Sequence, residues 1–361
     1  MSLFLGLTSL LVAFASEAKA DDATYNVNAI CTCDQMMRYY GTSHTGLWGG
    51  SWWESAILMA SLADISSLDS TYNGTYFGTY ATTYANAPSF NGYTGFIDDY
   101  YDDEGWWANA WISVYDLTKN PSYLDLAVSL YNDISGGEST CGGIYWEKGH
   151  SYVAAIANEL YINLAASLAN RAPEDARQGY LEEAMTKWDW VFNSGLVGSD
   201  WLIIDGVDGD SCVAEGNKYS YNQGVILGAA VELYKATGNA TYLELAGNVA
   251  DAVTAAGSAF TNHNGVITDC DGGCDDQGDM FKGPLFRGLR QLQLADPHSN
   301  WETWITTNAQ SLWNNALNVT VVDGASECNT GADFSGPMTS VNEITQGAAL
   351  DCLVAAWAVT A

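Results

Sequence analysis

The chain has 361 residues, of which 48% are hydrophobic and 15% charged. That is enough apolar material for a large core and too little charge for a disordered chain. The 43 acids against 12 Lys and Arg leave a net charge of −31, which excludes nucleic acid and anionic membrane surfaces as partners, because binding to either rests on Lys and Arg.

In chain order, Leu3 to Ala15 is an apolar run, and Ala18-Lys19-Ala20 before Asp21-Asp22 is an A-x-A cleavage pattern. This predicts a signal peptide over residues 1–20 and a single domain over 21–361. The absence of Lys and Arg before the apolar run departs from the pattern, and an N-terminal core helix is the alternative. The run is too short to span a membrane, and no membrane insertion is expected. Secretion then follows, to the extracellular space or the cell wall. All eight cysteines lie after the cleavage pattern, and an even count in an oxidising compartment reads as disulfides. The sequons at Asn73, Asn239 and Asn318 are expected glycosylation sites.

Helical segments dominate from here on. Trp52-Trp53-Glu54 opens Ser55–Ile65. The stretch from Asp103 through Asn120-Pro121-Ser122-Tyr123-Leu124 to Ala127 aligns without a gap on Asn222 through Asn239-Ala240-Thr241-Tyr242-Leu243 to Ala246, so that Tyr115 falls on Tyr234 and Thr118 on Thr237. Each copy reads as a helix, an Asn-containing turn and a second helix. Tyr152 to Ala169, Glu174–Asn193, Leu285–Leu294, Asn300–Leu317 and Ala348–Val359 continue the pattern. About six pairs of roughly 57 residues fit a helical-hairpin repeat. The fold class is therefore all-α. An open solenoid and a closed (α/α)6 barrel both fit the spacing. In a barrel, Trp106–Leu117, Val225–Tyr234 and Ala348–Val359 would be inner helices, and Glu174–Asn193 an outer one.

Polar and aromatic residues recur at the inner-helix starts, which in a closed barrel would form a funnel lined by Trp52, Trp53, Asp102, Asp103, Trp106, Trp107, Tyr221, Asn222, Gln223 and Lys282. Indoles stack on sugar rings, and amides and carboxylates bond hydroxyls. The neighbouring carboxylates Asp102 and Asp103 can divide acid and nucleophile roles, as glycoside hydrolysis requires. They can equally cap a helix and complement its dipole. Asp269-Cys270-Asp271-Gly272-Gly273-Cys274 suggests a metal loop, but the spacing fails the EF-hand pattern and lacks histidine for zinc. A short loop closed by Cys270 and Cys274 is the better reading, with no metal. The four histidines are dispersed, and no cofactor is expected.

Four segments resemble glycoside hydrolase family 76, the α-1,6-mannanases: Tyr101-Asp102-Asp103-Glu104-Gly105-Trp106-Trp107; Cys141-Gly142-Gly143-Ile144-Tyr145-Trp146; Tyr221-Asn222-Gln223-Gly224-Val225; and Cys270 through Cys274 to Asp279-Met280-Phe281-Lys282-Gly283. The resemblance covers nearly all of the mature chain. It implies an (α/α)6 barrel and retaining, endo-acting cleavage of α-1,6-mannosidic bonds in mannan or a mannose-rich wall glycan. Asp102 would be the nucleophile and Asp103 the acid/base, with Trp146 and Asp205 near the sugar. A monomer is expected. The first alternative is a cell-wall transglycosidase acting on mannose-containing glycan anchors. The C-terminal run Cys352 to Val359 reads as part of an amphipathic helix without the polar spacer of a lipid-anchor signal, which favours the hydrolase. The alternative of another class is a non-catalytic mannan-binding protein.

Overall fold

The computed structural model describes residues 22–69, 72, 74–149, 152–269, 276–322 and 324–361. The expected signal peptide, the Asn73 sequon and the Cys270–Cys274 pair lie outside the described residues.

The described residues form twelve α-helices: α1 Asp22–Met37, α2 Trp52–Leu68, α3 Phe77–Asn86, α4 Tyr101–Thr118, α5 Pro121–Ile134, α6 Ala155–Arg171, α7 Glu174–Asn193, α8 Ser220–Thr237, α9 Thr241–Thr254, α10 Lys282–Ala295, α11 Ser299–Asn315 and α12 Glu343–Thr360. The internal repeat explains two of the hairpins. Helix α4 ends on Lys119 in the left-handed region (φ 56°), and the Asn120 side chain accepts the Ser122 N–H to start α5. Helix α8 ends on Gly238 (φ 69°), and Asn239 Oδ1 accepts the Thr241 N–H to start α9. Both turns thus satisfy the orphaned groups of adjoining helix ends by the same device.

The even-numbered helices form a ring. Helix α2 packs on α4, α4 on α6, α6 on α8, α8 on α10, α10 on α12, and α12 back on α2. The architecture is a closed (α/α)6 barrel, not an open solenoid. The odd-numbered helices lie outside, and α1 covers α12, so the chain's first helix completes its last hairpin. Helix α6 is buried along nearly its whole length, whereas α7 buries only Ala184, Lys187, Trp188 and Val191. The inner wall is close-packed: a Cβ on Gly224 of α8 would collide with the Leu285 backbone of α10, and one on Gly288 would collide with the Gly224 carbonyl. Each fully buried large apolar side chain contributes about 1.5–3 kcal/mol to this core. Ion pairs occupy the opposite end of the barrel, where Arg171 joins Asp116 (2.6 Å) and Glu232 (2.7 Å).

Two small sheets interrupt the helical plan. Strands β1 (Tyr152–Ala154), β2 (Gly206–Asp208) and β3 (Ala214–Glu215) are antiparallel, with Tyr152 opposite Asp208. Tyr152, expected to open a helix, is therefore in a strand, and the helix begins at Ala155. Strands β4 (Leu317–Val322) and β5 (Ala325–Thr330) form a hairpin. Helix α11 stops at Asn315 and not at Leu317, because the β-branched run Val319-Thr320-Val321-Val322 pairs as a strand.

Disulfides join Cys31 to Cys328 and Cys141 to Cys212. Full pairing of the eight cysteines is not realised: Cys33 and Cys352 are free and buried, packed as small apolar groups of the core. No described helix is long and apolar enough to cross a membrane.

Candidate active site

A cleft of about 600 Å³ opens at the barrel end where the inner helices begin. Trp53 comes from the start of α2, Asp102, Asp103 and Trp106 from α4, Ile156 from α6 and Tyr221 from α8; Phe281 immediately precedes α10. The cleft therefore faces the N-termini of five inner helices, whose dipoles favour negative charge.

Asp102 and Asp103 sit on the cleft floor in the first turn of α4. The capping position is held by Tyr100, which makes no side-chain cap bond. The segment before the helix is held by Trp146–Lys148. Tyr101 N–H donates to the Trp146 carbonyl (2.9 Å), and Lys148 N–H donates to the Asp99 carbonyl (2.9 Å). Beneath the floor, Glu104 is fully buried and paired with Lys148 (2.7 Å), which also holds Asp133 (2.6 Å).

The two carboxyls differ in their surroundings. Burial pushes Asp102 up to about 7, opposed chiefly by a hydrogen bond from Trp146 and by backbone N–H groups of the helix start. Asp103 is raised well above the usual carboxylate range, first by burial and then by Asp102, Asp98 and Glu54, three acids around it. Burial thus raises both carboxyls, and the charge on Asp102 raises Asp103 further. Such a pair can supply a nucleophile or base together with an acid.

The opposite wall is built on the three-stranded sheet. Asp205 lies before β2 and accepts from Tyr152 (2.9 Å) and Tyr221 (3.5 Å). Burial raises its pKa, and these phenols and Asn222 oppose the rise. The remaining walls are aromatic. Trp53 and Trp106 have centroids 6.4 Å apart, Tyr100 and Trp146 5.0 Å, and Tyr221 and Phe281 4.1 Å in an edge contact.

Of the residues singled out in the sequence, Trp53, Asp102, Asp103, Trp106, Trp146, Asp205 and Tyr221 line the cleft. Trp52, Trp107, Asn222, Gln223 and Lys282 do not. Trp52 is buried with its indole N–H on the Ala87 carbonyl, and Trp107 lies behind it in the core. Gln223 ties the backbone of Ile203 to α8, bonding its N–H and C=O at 2.9 Å each. Lys282 is buried in an ion pair with Asp269 (2.6 Å). Asn222 is fully buried beneath Asp205. Adjacent indoles on a helix start point to different sides, so Trp-Trp pairs split between cleft and core. Sequence reasoning missed Tyr100, Tyr152, Tyr219 and Phe281 as lining residues. Their signal was available: each is an aromatic adjoining a singled-out motif or at the start of an inner-helix segment.

The sequence matches the profile of glycosyl hydrolase family 76 over residues 20–330. It is 27% identical over 228 residues to "Mannan endo-1,6-alpha-mannosidase DCW1" of Candida albicans, covering 56% of this chain and 50% of that protein. It is 23% identical over 342 residues to the protein of the same name in Candida glabrata, covering 86% and 75%. The chain spans 50% to 60% of the length of the first three curated relatives it matches. Its structure superposes on the GH76A alpha-1,6-mannanase from Salegentibacter sp. HEL1_6 with a TM-score of 0.78 and 25% identity, covering 92% of this chain and 98% of that one. The chain belongs to glycosyl hydrolase family 76.

Proposed function

We propose that this protein is a secreted, retaining endo-α-1,6-mannanase with Asp102 as nucleophile and Asp103 as acid/base. The observation that carries the proposal is the pair itself: two consecutive carboxyls in the first turn of α4, side by side on the floor of an aromatic cleft. A non-catalytic binder has no need of both carboxyls. The likeness to mannan endo-1,6-alpha-mannosidases gives the substrate class. The Salegentibacter protein offers further support: its inactive variant, with two consecutive aspartates replaced, has been solved with α-1,6-mannotetrose.

The mechanism is double displacement. Ionised Asp102, oriented by the Trp146 N–H, attacks the anomeric carbon while Asp103 gives its proton to the leaving oxygen. The C1–O bond to the departing chain breaks as the bond to Asp102 forms. Asp103, now ionised, takes a proton from water, whose oxygen displaces Asp102 from C1. Trp53, Trp106, Trp146 and Tyr221 stack on sugar rings, and Asp205 accepts from hydroxyls.

Asp102→Asn and Asp103→Asn should each abolish release of oligomannosides from linear α-1,6-mannan, read by product size, with helical circular dichroism unchanged. A wild-type rate in either variant would refute the assignment. Transfer to an added sugar acceptor in place of water would identify the transglycosidase instead.

A further inference from the structure

The charge of the cleft has one sign. Asp102, Asp103 and Asp205 line it, and among the described residues none that lines it is Lys, Arg or His. Cations on flanking segments are already paired: Lys148 with Glu104 (2.7 Å) and Asp133 (2.6 Å), Lys218 with Asp200 (2.6 Å), and Lys282 with Asp269 (2.6 Å). The whole chain adds to this field, with 43 acids against 12 Lys and Arg.

Helix N-termini would ordinarily oppose it, because free N–H groups there bind anions. Here their leading donors are taken. The Tyr101 N–H of α4 donates to the Trp146 carbonyl (2.9 Å), the Ala155 N–H of α6 to the Asp205 carbonyl (2.6 Å), and the Ser220 N–H of α8 to the Asp269 carbonyl (2.9 Å). A ligand is left with aromatic faces, phenol hydroxyls and carboxylate oxygens. That set suits neutral hydroxyls and offers an anion little.

The three carboxyls are not equivalent. In the double displacement Asp102 becomes a neutral ester and Asp103 exchanges its proton, whereas Asp205 takes part in no bond change. Its Oδ2 accepts the Tyr152 phenol at 2.9 Å, and its Oδ1 accepts the Tyr221 phenol at 3.5 Å. Its N–H donates to the Asn217 carbonyl at 2.8 Å, while its own carbonyl holds Ala155. Side chain and backbone are both fixed, so Asp205 keeps a negative charge at one place in the cleft through the whole cycle.

Resting on the mannanase reading, we propose that the cleft is a charge filter that takes neutral mannan and rejects mannan segments bearing phosphate esters, with Asp205 as the specificity-determining residue.

Competition against cleavage of linear α-1,6-mannan tests this. The competitors are α-1,6-mannotriose and the same trisaccharide modified at its non-reducing O-6, where the polymer would continue. One modified form carries a dimethyl phosphotriester and the other a methyl phosphodiester. These two differ by one methyl group and one negative charge, so size is nearly constant. At about 20 mM salt the diester should bind about tenfold more weakly than the triester, the order expected of unit charges within about 10 Å across a partly desolvated cleft. At about 500 mM salt that gap should narrow severalfold. In Asp205→Asn the gap should also narrow severalfold at low salt; it is read as a ratio, so a general loss of affinity cancels. Equal binding of the two esters, tighter binding of the diester, or a gap indifferent to salt would overturn the filter. A gap unchanged in Asp205→Asn would remove Asp205 from it. The mannanase reading fails separately: wild-type enzyme that leaves linear α-1,6-mannan uncut defeats that reading and the filter with it, whereas cleavage of mannan beside equal inhibition by the two esters defeats the filter alone.

Discussion

The Trp146 carbonyl accepts the Tyr101 N–H at 2.9 Å at the start of α4, and the indole of the same residue opposes the rise that burial imposes on the Asp102 carboxyl. One residue thus presents an aromatic face to the cleft and a donor to the proposed nucleophile. Trp146→Phe should keep most of the stacking surface and lose the donor. A hydrogen bond to a charged group contributes roughly 1.5–3 kcal/mol, so the acid limb of kcat/KM should rise by about one pH unit. The direction follows because the bond favours the ionised form of Asp102. A pH profile whose acid limb stays put would refute this role.

Stability should peak in mildly acidic solution. Burial raises Glu54 to about 7, Asp102 to about 7, Glu104 to about 8 and Asp269 to about 6. Unfolded carboxyls titrate near 4, so over this window the folded chain holds more protons than the unfolded one, and stability falls as pH rises. The opposite case is Glu232: burial pushes its carboxyl up, but the ion pairs with Arg171 and Lys235 outweigh that and hold it down at about 2. Its contribution is present above the unfolded value and is lost as pH falls through its folded value. Thermal melts from about pH 3 to 9 should show the highest Tm between the two regimes. A Tm that climbs steadily to alkaline pH would contradict the assignment.

The bond between Cys31 and Cys328 ties the first helix to a strand 297 residues away. It pins α1, which packs on α12, to strand β5. Cys31→Ser with Cys328→Ser should lower stability by about 2–4 kcal/mol and should increase hydrogen exchange in α1 before the rest of the barrel. Exchange in α1 equal to wild type would show that packing alone secures it.

Lys282 stands in a recognised motif, yet its ammonium is buried on Asp269 and the Asp279 carbonyl (2.8 Å). Lys282→Met would leave Asp269 buried without its partner, at a cost of about 3–5 kcal/mol. The loss should shrink as pH falls and Asp269 protonates. KM for mannan should change little in the folded fraction. A variant of normal Tm with a raised KM would make Lys282 a substrate ligand after all.

The barrel was legible in the sequence because a repeated hairpin leaves the same turn chemistry twice, at Asn120 and Asn239. Closure was not, because the contact of α12 with α2 is long-range and no local pattern encodes it. The hairpin β4–β5 was hidden by adjoining a strongly helical segment. At the site, helix starts predicted the right end of the barrel. They could not separate Trp53 from Trp52 or Trp106 from Trp107, since which indole faces the cleft depends on the rotation of each helix within the ring. Gln223 and Lys282 are polar for a structural reason, satisfying buried backbone and a buried charge. That reason looks the same in sequence as a reason of binding.

The central claim is that sugar becomes covalently attached to Asp102. Incubating the Asp103→Asn enzyme with an α-mannoside bearing an activated leaving group should accumulate a glycosyl-enzyme. Proteolysis and mass spectrometry would then place a single hexose on Asp102. The account predicts that adduct, and its absence when Asp102→Asn is added. Turnover with no adduct, or a hexose on any other residue, would contradict it.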